Sequence, residues 1–438
     1  MADVSVPADL PTPQFGARVA LPAHASLDKI RDDARTLQRA VRSGAAEAIG
    51  LINTHHPKPT GALAEPDRFK LADAQLVIAR RYGLAGWPAL VRHLDVVRAA
   101  SWTPEDREVA DPWDRFCSLA CLRYDGADVP PRWAQAGQLW TELARTQPGG
   151  APIWAAAAAA DSTTVGRLLA ERPELANAAG GPNGWPPLMY LTYSRLPGLS
   201  ESAVLATAGL LLEAGASPNA GFLWQGLVPP FTALTGVFGE GESGPGREPR
   251  HPHATPLAEL LLRAGADPND GQALYNRMFR PDNSHLKVLF AHGLGTGDGG
   301  PWVRRLGAAT ESVADMMRGQ LGWAASHGFV DRLELFAEHG WGLDTVLQDG
   351  RPVAQHLASW QARQHSRTAA DINQLVNGRT ALHDAAWAGD VPLINELLAA
   401  GADPTITDAE HHTRAIDWAE WAYQPEAVEV LRTVTPDA

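Results

Sequence analysis

A ten-residue tail recurs along this chain and limits what it can fold into. LLLEAGASPN runs from Leu210 to Asn219 and LLLRAGADPN from Leu260 to Asn269, and LLAAGADPT ends at Thr405. Weaker copies lie at 289–294 (LFAHGL), 335–344 (LFAEHGWGLD) and 168–177 (LLAERPELAN), the last with Pro173 where the others carry glycine. Each tail reads as a leucine-rich helix stopped by a glycine, with a proline soon after that cannot continue it. A unit of this size cannot bury its apolar face alone. Repetition at intervals of tens of residues therefore predicts a stack of helix pairs sharing one continuous core.

The most complete unit, GRTALHDAAWAGDVPLINELLAAGADPT, spans Gly378–Thr405. Thr380 and His383 can tie its first turn by hydrogen bonds. Ala385 and Ala386 let two helices approach, Gly389 ends the first helix, and Leu397 and Leu398 fill the core before Gly401 ends the second. This unit resembles the ankyrin repeat. The resemblance implies an all-α ankyrin-repeat α-solenoid whose first helices face a concave groove, with a protein or peptide partner as the usual ligand. Thr413–Arg432 reads as a last, capping unit.

The spacing is uneven. Gly215 and Gly265 stand 50 residues apart, Gly293 and Gly340 47, and Gly340 and Gly401 61, against an ankyrin period of ~33. The excess predicts insertions at about 221–256, 294–319 and 345–377, the last holding a degenerate repeat from GRPVAQHLASW. The array is expected over 151–438. Residues 1–25, with four prolines, read as a mobile arm. Residues 26–150 read as an N-terminal helical region stacked on the array: Ser26 caps a helix to Arg42, Phe69–Val97 gives two helices joined at Gly83–Pro88, and 112–146 gives another pair. The Phe69–Val97 pair could cap the array, or could read DNA with Arg80, Arg81, Arg92 and His93 toward phosphate. ADAQLVIARRYGLAGWPALVRHL (72–94), GWPPLMYLTYSRL (184–196), GFLWQGLVPPFTALTGVFGEGE (221–242), HPH (251–253), LLLRAGADPNDGQALYNRMFRPDN (260–283) and GGPWVRRLG (299–307) together resemble a group of uncharacterised actinobacterial ankyrin-repeat proteins. That resemblance carries no activity with it.

A formal charge of −13 argues against nucleic acid and anionic membranes, which need a basic footprint. Cys117 and Cys121 are too few for a disulfide framework or a zinc site and read as buried thiols. No signal peptide is recognisable, and the apolar run Ile153–Ala160 is too short to span a bilayer. We expect a cytoplasmic protein without a cofactor. Nothing in the sequence speaks to its oligomeric state.

Aligning the units on Asp384 and Trp387 places Trp185, Tyr190, Tyr193, Glu240, Asn276, Phe279, Arg280, Trp323 and His327 on one concave binding stripe. Aromatic rings and arginine are the usual hot-spot residues at protein interfaces. Alternatively, a pocket under the 221–256 insertion could bind a small molecule, as in a cofactor-free cyclase or dehydratase of specialised metabolism. Glu240, Arg280, Tyr190 and His327 would then be its acting groups, with Glu240, if shielded, moving a proton. A third reading is that several of the Trp and Tyr side chains only fill space beneath the insertion. His251 and His253 could hold a metal only if a third ligand joined them, with Glu240, Glu242 and Glu248 the possible ones.

Overall fold

A computed structural model describes residues 21, 25–104, 109–365 and 372–436. The expected arm at 1–25 lies outside the described residues, apart from Leu21 and Ala25. The chain divides into two compact units: 1–103 with 223–228 and 301–311, and 104–222 with 229–300 and 312–438.

The first unit is built on Leu27–Arg42, whose stripe Ile30, Ala34, Leu37 and Val41 is buried. Ser26 occupies the N-cap position, but its side chain makes no capping bond. Leu71–Arg81 and Trp87–Ala100 are the two helices expected around Gly83–Pro88. Phe69 is buried, and its carbonyl accepts from the Arg42 guanidinium at 2.9 Å (Nη2). His93 is buried too, so it offers nothing to a phosphate. The middle of the chain completes this unit. Ser101–Trp102 pairs in parallel with Leu223–Trp224. Leu223, Trp302 and Leu306 form an apolar cluster with Val96, Val97 and Ala100. Parts of the two stretches read as loop insertions are therefore core.

In the second unit helix pairs follow one another. The first helices are Ile153–Ala158, Pro187–Tyr193, Ala233–Phe238, Gly271–Arg277, Val313–His327, Val353–His365, Ala381–Ala388 and Ala415–Trp421. Their second helices include Ser162–Glu171, Glu201–Glu213, Ala254–Arg263, Ser284–Ala291, Val330–Glu338, Val391–Ala399 and Pro425–Arg432. First helices pack on first helices from Ile153–Ala158 through Val353–His365, and again between Ala381–Ala388 and Ala415–Trp421. Second helices pack likewise along Ser162–Glu171, Glu201–Glu213, Ala254–Arg263 and Ser284–Ala291. Pro112–Ala120, which packs on Ile153–Ala158, starts the row together with Pro130–Thr146.

Two features explain the repeated sequence. Thr380 closes a capping box with His383, as Thr232 does with Thr235. Hence 231–237 (FTALTGV) is the start of a unit inside what the spacing reads as insertion. The second is the tail asparagine. Asn219 donates to Gly265 O (2.8 Å) and accepts from Asp267 N (2.9 Å). Asn177 does the same with Gly215 O and Ser217 N, and Asn373 with Gly401 O and Asp403 N. Each tail is thereby fastened to the next, and orphan backbone groups at the helix ends find partners.

Candidate functional site

Trp185, Tyr190 and Tyr193 are fully or almost fully buried. The Tyr190 hydroxyl donates to Gly180 O (2.8 Å) and accepts from Asn183 N (2.9 Å), and Tyr193 donates to Thr232 O (3.0 Å). Trp185 stacks on Phe222 at 4.8 Å and 8°, and Phe222 on Phe231 at 5.6 Å and 12°. A Cβ at Gly236 would stand 2.3 Å from the Tyr193 ring, so glycine is needed there for this ring to fit. These three residues form an aromatic core with Phe222 and Phe231. The expectation that they line an open groove is corrected: their rings face neighbouring units, and the two tyrosine hydroxyls are already bonded.

Next to this core lies a charged knot. Glu240 is buried with a left-handed backbone (φ +58) and accepts from Arg277, with Arg250 at 3.5 Å and Arg280 at 3.8 Å. Burial lowers the Arg277 and Arg280 pKa values, and Glu240 opposes this. Arg280 donates to Ala388 O. Its fork thus joins the fourth unit to the seventh instead of awaiting a ligand. Asn276 accepts from Gln272 (2.8 Å), and its Nδ2 has no partner. Close by, Glu248 is buried with Oε2 unpartnered. Burial first, then Asp128, push its carboxyl well above the usual range.

From this knot the long loop 239–250 of the third unit crosses to the last two units. The Trp387 indole N–H donates to Glu242 O (2.9 Å). The Arg247 guanidinium lies 3.5 Å from the centre of the Trp421 ring, and its Nε donates to Trp421 O (2.9 Å). Trp387 and Trp421 stack at 4.8 Å and 18°. On the fourth and fifth units a second aromatic row runs from Tyr275 through Phe279 and Trp323 to His327, with ring centres 5.2, 5.3 and 4.0 Å apart. Phe279, Trp323 and Trp387 are half-buried, and His327 and Asp384 are exposed. Asp384 pairs with Arg379 across the surface.

The unit that carries the Thr380–His383 capping box is also the one that comparison singles out. Residues 377–409 match the ankyrin repeat family. The chain carries an ankyrin repeat there. Ankyrin repeat protein nuc-2 of Neurospora crassa is 32% identical over 133 residues, which make up 28% of this chain and 12% of that protein. The chain thus spans only a small part of that relative's length. Among solved structures, the ankyrin repeat domain of Bcl-3, a member of the IkappaB protein family, aligns with 64% of this chain and 97% of its own. It does so at 18% identity with a TM-score of 0.19.

The residues proposed for the groove therefore fall into three groups. Trp185, Tyr190 and Tyr193 are core. Glu240, Asn276 and Arg280 are joined to other parts of the chain. Phe279, Trp323, His327, Asp384 and Trp387 remain at the surface. Of the four groups proposed for catalysis only Glu240 and Arg280 meet, as an ion pair: Tyr190 is bonded to the 180–183 turn, and His327 stacks on Trp323. His251 is buried and accepts from His253 N, while His253 Nε2 lies 2.7 Å from Leu199 O. Among the described residues no group of three His, Cys, Asp or Glu could hold a metal. No helix there is long and apolar enough to cross a membrane. Cys117 and Cys121 are free and buried, and burial pushes the Cys121 thiol up to about 12. Sequence reasoning missed Arg247 and Trp421, and weighed Glu248 only as a possible third metal ligand. The run GPGRE at 244–248 carries the signal for the first and last, since glycines on both sides of a charged residue allow a close backbone approach.

Proposed function

We propose that this ankyrin-repeat protein recognises a protein or peptide partner through the outer face of its first helices, centred on Phe279, Trp323, His327, Asp384 and Trp387. The observation that supports this reading is the row of aromatic rings left half-exposed on successive units. They touch one another edge-on or stacked. Large rings bury much area at small entropic cost when a partner covers them. Two buried free thiols suit a reducing interior, and we place the protein there.

Selection of displayed peptides on the immobilised full chain tests the reading. Binders should be enriched on the wild type and weakened at least tenfold by Trp323→Ala, with the melting temperature showing that the fold persists. Binders indifferent to Trp323→Ala and Trp387→Ala would refute it.

A further inference from the structure

The loop between the two helices of the third unit reaches across the second compact unit to the ends of the seventh and eighth first helices. Its tip is held much as a bound peptide would be. Backbone carbonyls accept from side chains on both sides: the Trp387 indole N–H donates to Glu242 O, and Arg247 Nε donates to Trp421 O. One side chain is the anchor, the Arg247 guanidinium lying flat against the Trp421 ring at 3.5 Å, a cation–π contact. Small residues permit the approach. A Cβ on Gly246 would stand 1.9 Å from Ala422 O and 2.7 Å from Tyr423 O. Apart from its buried inner side, the Trp421–Tyr423 surface is open, with 49% of Trp421 and 37% of Tyr423 exposed.

The seat is also held at a cost. Where the loop returns to its own unit it buries Glu248 with Oε2 unpartnered, near the Asn276 amide. Gly241 fits between them, its would-be Cβ 2.6 Å from Glu248 Oε2 and 3.7 Å from Asn276 Oδ1. Polar groups buried without partners destabilise the closed arrangement, and water would satisfy them once the loop lifts. The loop therefore fits its surface well at the tip and poorly at the root, which favours exchange for an outside segment that reproduces only the tip.

We propose that the Trp387–Trp421 surface receives a short, turn-forming, glycine- and proline-rich segment of a partner protein bearing one arginine, and that residues 242–248, which hold the helical turn Gly244–Arg247, occupy it as a tethered stand-in. This rests on the reading that the first-helix face binds a protein, and it names the partner's chemistry. Tethering gives the loop an effective concentration near the millimolar range, so the closed chain binds such a segment weakly and release of the loop strengthens binding.

The probe is a fluorescein-labelled peptide of the loop's own sequence, EGESGPGREPR, titrated by anisotropy into the full chain. Gly246→Ala drives the tip off Ala422 without touching Trp387 or Trp421. It should bind the peptide at least tenfold more tightly than wild type. That gain should vanish with Trp421→Ala added, or with alanine in place of the arginine corresponding to Arg247. Should Gly246→Ala fail to match the wild-type circular dichroism, Arg247→Ala releases the loop without a clash and takes its place. No gain in a folded, loop-released variant, or a gain indifferent to Trp421 and to the peptide arginine, overturns the inference. Displayed peptides that depend on Trp323 but not on Trp421 would leave the broader reading standing and this one refuted. Peptides that depend on neither refute both.

Discussion

Replacing Asn219 by alanine isolates what one tail contributes to its neighbour. The side chain makes two hydrogen bonds to the next tail, to Gly265 O and from Asp267 N, and both ends are backbone groups at the stop of a helix. Each such bond contributes about 1 kcal/mol net, so Asn219→Ala should cost about 2 kcal/mol at that junction. Repeat stability is close to a sum of unit terms and nearest-neighbour terms. The loss should therefore appear locally. Hydrogen exchange by mass spectrometry is the suitable assay, because 2 kcal/mol corresponds to roughly thirtyfold in protection. Peptides covering Glu201–Glu213 and Ala254–Arg263 should lose about that factor, while Pro425–Arg432 keeps its protection. Asn219→Asp keeps the acceptor for Asp267 N but sets a carboxylate against the Gly265 carbonyl, and should be no better than alanine. Protection unchanged at the junction, or lowered equally along the whole array, would refute the nearest-neighbour argument.

Asp270 is buried, and burial raises its pKa to about 6 despite bonds from Thr232, Ala273 and Thr235. The folded state then binds the proton more tightly than the unfolded state, so this group's contribution falls as pH rises from about 4 to 6 and is constant above. Asp270→Asn should flatten urea stability over that window by on the order of 2 kcal/mol, and an unchanged slope would count against it. In the first compact unit, Trp302→Ala should cost about 3 kcal/mol and loosen Trp87–Ala100 in hydrogen exchange, since Trp302 closes the cluster with Val96, Val97 and Ala100. Deleting 406–438 uncovers the layer of Ile394 and Leu397 that packs on Ile416 and Leu431. The truncated chain should aggregate where the full chain stays soluble, and a soluble truncation with the same melting temperature would contradict a capping role.

The tails and the last two units were legible because they obey local rules: a leucine stripe, a glycine past the helix end, and a threonine capping box. Ala233–Phe238 obeys the same rule through Thr232 and Thr235, yet it is only six residues long and sits among glycines and prolines, where a composition argument reads loop. Leu223, Trp302 and Leu306 were not legible as core of the first unit, because nothing in their neighbours specifies a strand or helix that joins residues near 100. At the candidate site the aromatic positions could be found, but the stripe alignment could not divide them. Tyr193 and Trp323 occupy similar places on their helices. Only Gly236, which leaves room for the Tyr193 ring, and the hairpin at 221–232 make one of them core and leave the other half-exposed.

The units hardest to read share a physical reason, and it lies in buried arginine. In the seventh unit the first helix ends in a left-handed glycine, Gly389 (φ +64), and the chain turns directly into its partner. The second and fourth units lack that stop. Their first helices run out into irregular backbone whose carbonyls would be left without donors inside the protein. Arg195 collects those of Thr192 (3.2 Å), Ser194 (2.9 Å), Gly236 and Pro249 (both 2.6 Å). Arg332 takes Met278 O (3.0 Å), Asp282 O (3.0 Å) and Asn283 Oδ1 (2.8 Å), together with Arg280 O. A guanidinium offers five donors in a planar fork and carries its charge even when burial lowers its pKa, to about 10 for Arg332. One arginine thus replaces a glycine turn and permits any loop length between the two helices. In the second and fourth units it erases the glycine by which a repeat is recognised, whereas the third unit keeps one, Gly239 (φ +56), ahead of its long loop.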